Sequence, residues 1–209
     1  MQVTKYAHSC LRIEHDGGVL VVDPGVFSDT AALDGVDAVL ITHEHPDHVN
    51  VEALTQALER RPIPVHGPAS LAGVLGDAAE TLTVVTPGES FTAAGVPVRA
   101  YGGQHAVIHP DIPVVPNLGY LVNDVVYHPG DALVVPEDVQ VDTLFAPIHA
   151  PWNKFSEVLD FIRAVAPRRA YALHDALLNH NGLGVLDRQY AAMSKTDYRR
   201  LEPGTRIDA

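Results

Sequence analysis

The sequence has a single cysteine, Cys10, in 209 residues. No internal disulfide can form, and metal sites built on clustered thiolates are excluded. A lone thiol suits a reducing cytoplasm, the compartment expected here. Basic residues are also scarce: 14 Lys and Arg stand against 26 Asp and Glu, a formal charge of −12. A nucleic-acid partner is not expected, because binding polyphosphate needs a basic footprint that displaces counterions. No apolar run approaches the roughly 20 residues that cross a bilayer as a helix, so no membrane partner is expected. The opening segment, MQVTKYAHSC, lacks the apolar stretch of a secretory leader. Repeats, low-complexity tracts and linkers are missing too, and the length suits one domain over residues 1–209. That leaves a small-molecule substrate as the expected partner, with self-association left open.

What the chain has in plenty is histidine, 12 residues. Histidine is the commonest metal ligand and the usual acid or base near neutral pH. Its placement follows from the elements. Cys10–His15 and Val19–Asp23 read as strands around an Asp16-Gly17-Gly18 turn. Ala38–Ile41 is a short buried strand that runs into the polar loop Thr42–Asn50. Asn50 then caps a helix over Val51–Arg60, with Val51, Leu54 and Leu58 on one face. Val65-His66 reads as a strand and Pro68–Leu75 as a short helix. Strands are expected at Leu82–Val85, Ser90–Thr92 and Val96–Tyr101, and at Tyr120–Val122 and Val125–Tyr127 around Asn123-Asp124. Three prolines make Ala106–Asn117 a loop. Leu144–Ala146 is a strand, Ser156–Ala166 an amphipathic helix capped by Ser156 and stopped by Pro167, and Ala170–Leu173 a strand ending at His174. A glycine-broken helical stretch and a short tail close the chain.

The chemistry concentrates in Thr42-His43-Glu44-His45-Pro46-Asp47-His48. Three imidazoles and the Asp47 carboxylate fall within six residues, between a buried strand and a helix. Such N/O donors suit zinc and similar divalent ions. The helical H-E-x-x-H zincin motif does not fit, since Asp47 stands four residues after His43 and Pro46 would break the helix. An HD-type phosphohydrolase reading of His174-Asp175 also fails, because those proteins are all-helical and Ala170–Leu173 reads as strand.

His43-x-His45-x-Asp47-His48 resembles the H-x-H-x-D-H motif of metallo-β-lactamase-fold hydrolases. Three further segments follow in that family's order. Gly103-Gln104-His105 resembles the segment bearing a third histidine. Tyr127-His128-Pro129-Gly130-Asp131 resembles the strand end bearing a bridging aspartate. Ala172-Leu173-His174 resembles the strand end bearing the last histidine. The likeness spans roughly residues 3–175. The stretches AHSCLRIEHDGGVLVVDPG and APIHAPWNKFSEVLDFIRAVAPRRAYALHDALLN look most like small bacterial hydrolases of the ascorbate-6-phosphate-lactonase-like branch.

The resemblance implies an α+β protein, a four-layer αββα sandwich, with two divalent ions on the rim of its sheets. His43, His45 and His105 would hold one ion; Asp47, His48 and His174 would hold the other; Asp131 would bridge them. Zinc is the expected metal, with manganese, iron or nickel as alternatives. A bridging hydroxide would attack a small ester, lactone or phosphodiester, with Asp47 steering the water. A non-hydrolytic metal-binding member, acting as sensor or scaffold, is the alternative; it would have lost a ligand, and none is lost here. In flavodiiron relatives a glutamate takes the place of His45, so His45 favours hydrolysis. A glyoxalase II-type thioesterase would need a C-terminal helical domain, and only 35 residues follow His174. Asp23, before Pro24-Gly25, can support the ligand loop or simply shape its turn. His8 can approach the site or hold a strand end. His149 is a candidate to bind substrate or protonate the leaving group, and Trp152 to wall the pocket or fill the core. Glu44 reads as a solvated loop residue, and His15, His66, His109, His128 and His180 as surface or core histidines.

Overall fold

The computed structural model describes residues 1–209. The first sheet collects β1 (Gln2–Lys5), β2 (Leu11–His15), β3 (Gly18–Val22) and β4 (Ala38–Leu40). After helix α1 (Val51–Arg60) come β5 (Val65–Gly67), the short helix α2 (Ala72–Leu75) and β6 (Leu82–Val84). The second sheet holds β7 (Ser90–Ala93), β8 (Val96–Gly102), β9 (Leu118–Val122), β10 (Val126–His128) and β11 (Thr143–Pro147). Helix α3 (Phe155–Val165), β12 (Arg169–Leu173), helix α4 (His180–Met193) and β13 (Asp197–Arg199) follow. The chain closes with β14 (Thr205–Asp208), which returns to the first sheet beside β1. The strand orders are β14-β1-β2-β3-β4-β5-β6 and β13-β12-β11-β10-β9-β8-β7.

The alternating pattern of β1, β2 and β8 sends one face of each sheet toward the other. Val3, Leu11, Ile13, Leu20 and Leu40 meet Val98, Tyr120, Phe145 and Leu173 in the core between the sheets. The outer face of the first sheet packs Val21, Val39 and Val65 under Leu54 of α1 and Leu75 of α2. The outer face of the second packs Leu144, Ala146 and Ala172 under Val158, Phe161 and Ile162 of α3 and Tyr190 of α4. Each Val, Leu, Ile or Phe among them, fully buried, contributes about 1.5–3 kcal/mol. The layers are helix, sheet, sheet, helix, the α+β sandwich expected.

Local chemistry explains the joints. The β2–β3 and β9–β10 hairpins turn on Asp16-Gly17 and Asn123-Asp124, all four with positive φ, as the right-handed twist of paired strands favours. Three expectations change. Helix α3 starts one residue before Ser156, and its cap is Lys154, whose N–H donates to Glu157 Oε2 at 3.0 Å. The glycine-bearing stretch forms one 14-residue helix in spite of Gly182 and Gly184, since Asn179 Oδ1 caps Gly182 N–H and Tyr190 anchors the far end. The tail adds a strand to each sheet. Both are short edge strands with exposed alternate residues, which carry little hydrophobic signal.

Candidate metal centre

β1, β3 and β4 run in one direction in the first sheet, and β8, β10, β11 and β12 share a direction in the second. Their C-terminal ends therefore open on one rim. The sheets are tied there by Leu118 N–H to Thr42 O (2.9 Å), Tyr120 Oη to Ile41 O (2.9 Å) and His174 N–H to His8 O (3.3 Å). The strands end abruptly, in left-handed residues. His8 (φ 59°), Asp23 (φ 49°) and His174 (φ 58°) all have a conformation that is uncommon outside glycine. Each such residue costs of order 1–3 kcal/mol, and such strain gathers at functional sites.

The structure brings His43, His45, Asp47, His48, His105, Asp131 and His174 together. His43, His45 and His105 offer nitrogens within 4.8 Å of one another; so do His43, His48 and Asp131, and so do His8, Asp47, His48 and His174. His43 Nε2 and His45 Nδ1 are 3.1 Å apart. Asp131 lies between the two groups: its Oδ1 is 3.2 Å from His48 Nε2, and its Oδ2 is 3.4 Å from His105 Nε2 and 3.2 Å from His174 Nε2. Asp47 Oδ2 is 3.3 Å from His174 Nε2 and 3.1 Å from His8 Nε2.

Hydrogen bonds behind the rings set their tautomers. His48 Nδ1 donates to Asp23 Oδ2 (2.6 Å), His105 Nδ1 to Ala106 O (2.5 Å) and His174 Nδ1 to His149 O (2.7 Å). Thr42 Oγ1 donates to Asp23 Oδ2 (2.7 Å), so its lone pair is left to accept from His43 Nδ1 (3.0 Å). All four rings thus turn Nε2 into the cluster, the arrangement that orients metal-binding histidines. His8 is the opposite case. Ala176 N–H donates to its Nδ1 (3.4 Å), which leaves the proton on Nε2 and makes His8 a donor to Asp47. It supports a carboxylate and has no lone pair to offer a metal.

Charge in the cluster is unbalanced. Burial opposes ionisation of Asp131, yet the His48 and His174 rings hold its carboxyl well below the usual range. Burial likewise opposes ionisation of Asp47, and the His174 and His8 rings beside it outweigh that. Two ionised carboxylates then pull protons onto their neighbours. Against the penalty of burial, Asp131 raises His174 to about 9, and Asp131 with Asp23 raises His48 well above the ordinary imidazole value. His43 and His45 go the other way, lowered by burial and by neighbouring imidazoles. The carboxylates call for positive charge at this spot. Three buried atoms there, His105 Nε2, His174 Nε2 and Asp131 Oδ1, have no hydrogen-bond partner. Orphaned buried donors and acceptors are costly unless something binds them. A divalent cation satisfies both demands, so these residues fit the metal that the motif implies.

Other side chains hold the ligands in place. Asp23 is fully buried and accepts from Thr42 N–H (2.8 Å) as well as from Thr42 Oγ1 and His48, so it supports the ligand loop rather than merely turning the chain. Asn117, which sequence reasoning missed, ends the proline-rich loop. Its Oδ1 accepts from Asp131 N–H (2.9 Å) and its Nδ2 donates to Pro129 O (3.0 Å). Lys5, also missed, is fully buried; Nζ donates to Tyr6 O (2.5 Å) and His8 O (2.8 Å) and pairs with Asp175 (3.4 Å). Its burial lowers its pKa, with Asp175 opposing. It sits in a strand of ordinary polar–apolar alternation, so nothing in the sequence flagged it. Trp152 is half-buried, and its Nε1 donates to Asp131 Oδ2 (2.9 Å). It therefore belongs to the rim rather than to the core. His149 contributes its main-chain carbonyl to His174, and the residue is half-buried. Glu44 departs from the solvated reading: it is half-buried, and its Oε2 is shielded without a partner. His66 and His128 are core residues, stacked on Phe91 and bonded to Ser9 O (2.8 Å) respectively. His15 is half-buried, and His109 and His180 are exposed.

Residues 2–174 match the family described as "Beta-lactamase superfamily domain". The chain is 43% identical over 208 residues to Protein Rv0786c of Mycobacterium tuberculosis, covering 96% of each. It is 25% identical over 153 residues to the UPF0173 metal-dependent hydrolase MJ1163 of Methanocaldococcus jannaschii, covering 69% of this chain and 67% of that one. In fold it is similar to Igni18, a metallo hydrolase of the archaeon Ignicoccus hospitalis, with TM-score 0.76, 18% identity and coverage of 99% and 97%. The same fold forms part of CmlA, a diiron β-hydroxylase of Streptomyces venezuelae, with TM-score 0.76 and 18% identity over all of this chain and 54% of that one. With the matched segment running from β1 to His174 at the rim, the chain belongs to the β-lactamase superfamily.

Proposed function

We infer that the rim cluster holds two divalent ions and that the chain hydrolyses a small ester, lactone or phosphodiester. The observation that carries this reading is the convergence of three partnerless buried atoms, His105 Nε2, His174 Nε2 and Asp131 Oδ1, inside a ring of seven donor residues. His43, His45 and His105 hold one ion, Asp47, His48 and His174 the other, and Asp131 lies between. The nitrogen-rich set suits zinc, and manganese, iron or nickel can take the same donors. When bound, such ions polarise the scissile group and lower the pKa of water from about 15.7 toward 7.

The chain's own residues do the remaining work. Asp23, Thr42, Ala106 O and His149 O fix the ring orientations, so the ligand Nε2 atoms are aimed before anything binds. His8 donates to Asp47 Oδ2 and leaves the other carboxylate oxygen to orient water and take up its proton. Trp152 Nε1 holds Asp131 from the solvent side. His149, in the loop after β11, would give a proton to the leaving oxygen. Metal content of tag-free protein, prepared without chelator and read by inductively coupled plasma mass spectrometry, tests the reading. About two ions per chain are expected. One ion points to a mononuclear site; none, even after reconstitution with zinc or manganese, overturns the reading.

A further inference from the structure

We propose that the substrate is an uncharged ester or lactone carrying an apolar chain, a statement that rests on the hydrolytic reading above. The charge pattern supplies the first support. The rim segments 23–29, 41–50, 103–117, 129–135 and 174–179 contain no Lys or Arg. Lys154, in the remaining loop, lies 3.4 Å from Glu157 Oε1. Lys5, beneath the site, is buried and committed to Tyr6, His8 and Asp175. A phosphoryl or carboxylate group on a substrate is ordinarily met by an Arg fork or a Lys. Apart from the exposed Lys154 no such cation stands on these loops, and Asp29 and Asp111 repel an anion.

The second support is what those loops expose instead. Isolated exposed apolar residues mean little. Of the ten large apolar side chains that are exposed, however, six stand on rim loops: Val26, Phe27, Val107, Ile112, Val114 and Leu177. Phe27 (45% exposed) meets His8 edge-on at 5.1 Å between ring centres. Val107 (59%) follows His105 by two residues, and Leu177 (49%) follows His174 by three. Val114 adjoins Val115, whose carbonyl accepts from His105 N–H. A patch rimming a polar centre in this way marks a binding surface for an apolar ligand. In the reaction, the water oxygen bonds to the acyl carbon as the C–O bond to the alkoxy group breaks. The water proton ends on the leaving oxygen, and a lactone yields one hydroxy acid.

The test uses the full chain loaded with zinc or manganese. Substrates are p-nitrophenyl esters from acetate to octanoate, γ-butyrolactone and γ-decalactone, bis(p-nitrophenyl) phosphate, and a 6-phosphorylated aldonolactone. kcat/KM is expected to climb with chain length by up to about fourfold per methylene. The phosphate-bearing compounds should be at least about tenfold poorer, lacking a charged partner on the protein. A Phe27→Ser, Leu177→Ser double variant should lose the chain-length dependence; both positions are exposed, and circular dichroism checks its fold. Binding of 2-undecanone, followed through the emission of Trp152, the sole tryptophan, reads recognition without turnover. Turnover with no chain-length preference, or faster on the phosphorylated lactone, overturns the apolar-substrate proposal and leaves the hydrolase intact. No turnover, with saturable 2-undecanone binding that the double variant loses, overturns the hydrolytic chemistry and leaves apolar recognition standing. Neither turnover nor binding overturns both.

Discussion

His48 Nδ1 lies 2.6 Å from Asp23 Oδ2, and both residues are completely buried. The carboxylate does two things at once. It fixes the ring so that Nε2 faces Asp131, and through Thr42 it clamps the start of the ligand loop. Asp23→Asn keeps the shape and removes the charge. Metal affinity is expected to fall about 10–100-fold, the usual cost of losing a partner behind a ligand histidine. Competition against a chelator of known affinity measures it. Unchanged affinity would mean that Asp23 serves the turn alone.

Removing metal leaves a pH signature. In the metal-free protein Asp131 raises His174 to about 9 against the effect of burial, and Asp131 with Asp23 raises His48. Raised folded-state values stabilise the protein fully below the unfolded value of 6.5 and lose that contribution as pH climbs through about 9. The metal-free melting temperature is therefore expected to fall between pH 6.5 and 9. Metal affinity runs the other way in the same window, because the imidazolium protons must leave before the rings can coordinate. Calorimetric metal titration near pH 7, in buffers of different ionisation enthalpy, should show proton release. A pH-independent affinity would sink this account.

The parts of the site legible in the sequence were those written by residue type at fixed spacing. His43, His45, Asp47 and His48 stand within six residues, and His105, Asp131 and His174 each follow a recognisable strand. The framing residues were not legible. Asn117 acts through hydrogen bonds to Asp131 N–H and Pro129 O, partners 14 and 12 residues away that only the fold brings together. Lys5 bonds to Asp175 across 170 residues. His8 shows the limit most clearly: residue type made it a candidate for the site, but only the Ala176 N–H at its Nδ1 reveals that it donates rather than ligates. In the fold, strongly apolar strands and the amphipathic helices α1 and α3 were plain. The edge strands β13 and β14, with half their residues in solvent, were not.

Gly25 is where the support loop passes against the ligand loop. A Cβ there would lie 1.8 Å from Asp47 O and 2.7 Å from His48 N, both main-chain atoms. The two loops are stitched together around it by Val26 N–H to Pro46 O (2.9 Å) and Asn50 N–H to Pro24 O (2.8 Å), so neither can give way cheaply. Gly25→Ala is expected to cost about 1–3 kcal/mol. At this chain length that lowers the melting temperature by about 2–12 °C. Metal affinity should fall as well, since Asp47 and His48 are the residues displaced. Gly73→Ala is the control: its Cβ meets nothing within 4 Å and lies in α2, so it should be neutral or slightly stabilising. Equal melting temperatures for the two variants would show that the loops slide apart more freely than their hydrogen bonds imply.

His149 separates a main-chain role from a side-chain one. Its carbonyl accepts from His174 Nδ1 at 2.7 Å, a bond that any residue at this position can supply. Its imidazole is the part proposed to protonate the leaving oxygen. His149→Ala removes only the second function, so metal content and the affinity of both ions should stay within about threefold of the parent, as expected when ligand support is intact. General acid catalysis typically contributes about 10²–10⁴-fold, so kcat on an ester with a poor alkoxide leaving group should fall by that order. An activated p-nitrophenyl ester, whose leaving group needs no proton, should lose far less. Equal losses on both esters would remove the acid role from His149 and leave it the carbonyl alone. A loss of metal would show instead that the substitution disturbs the β11 loop and, through it, His174.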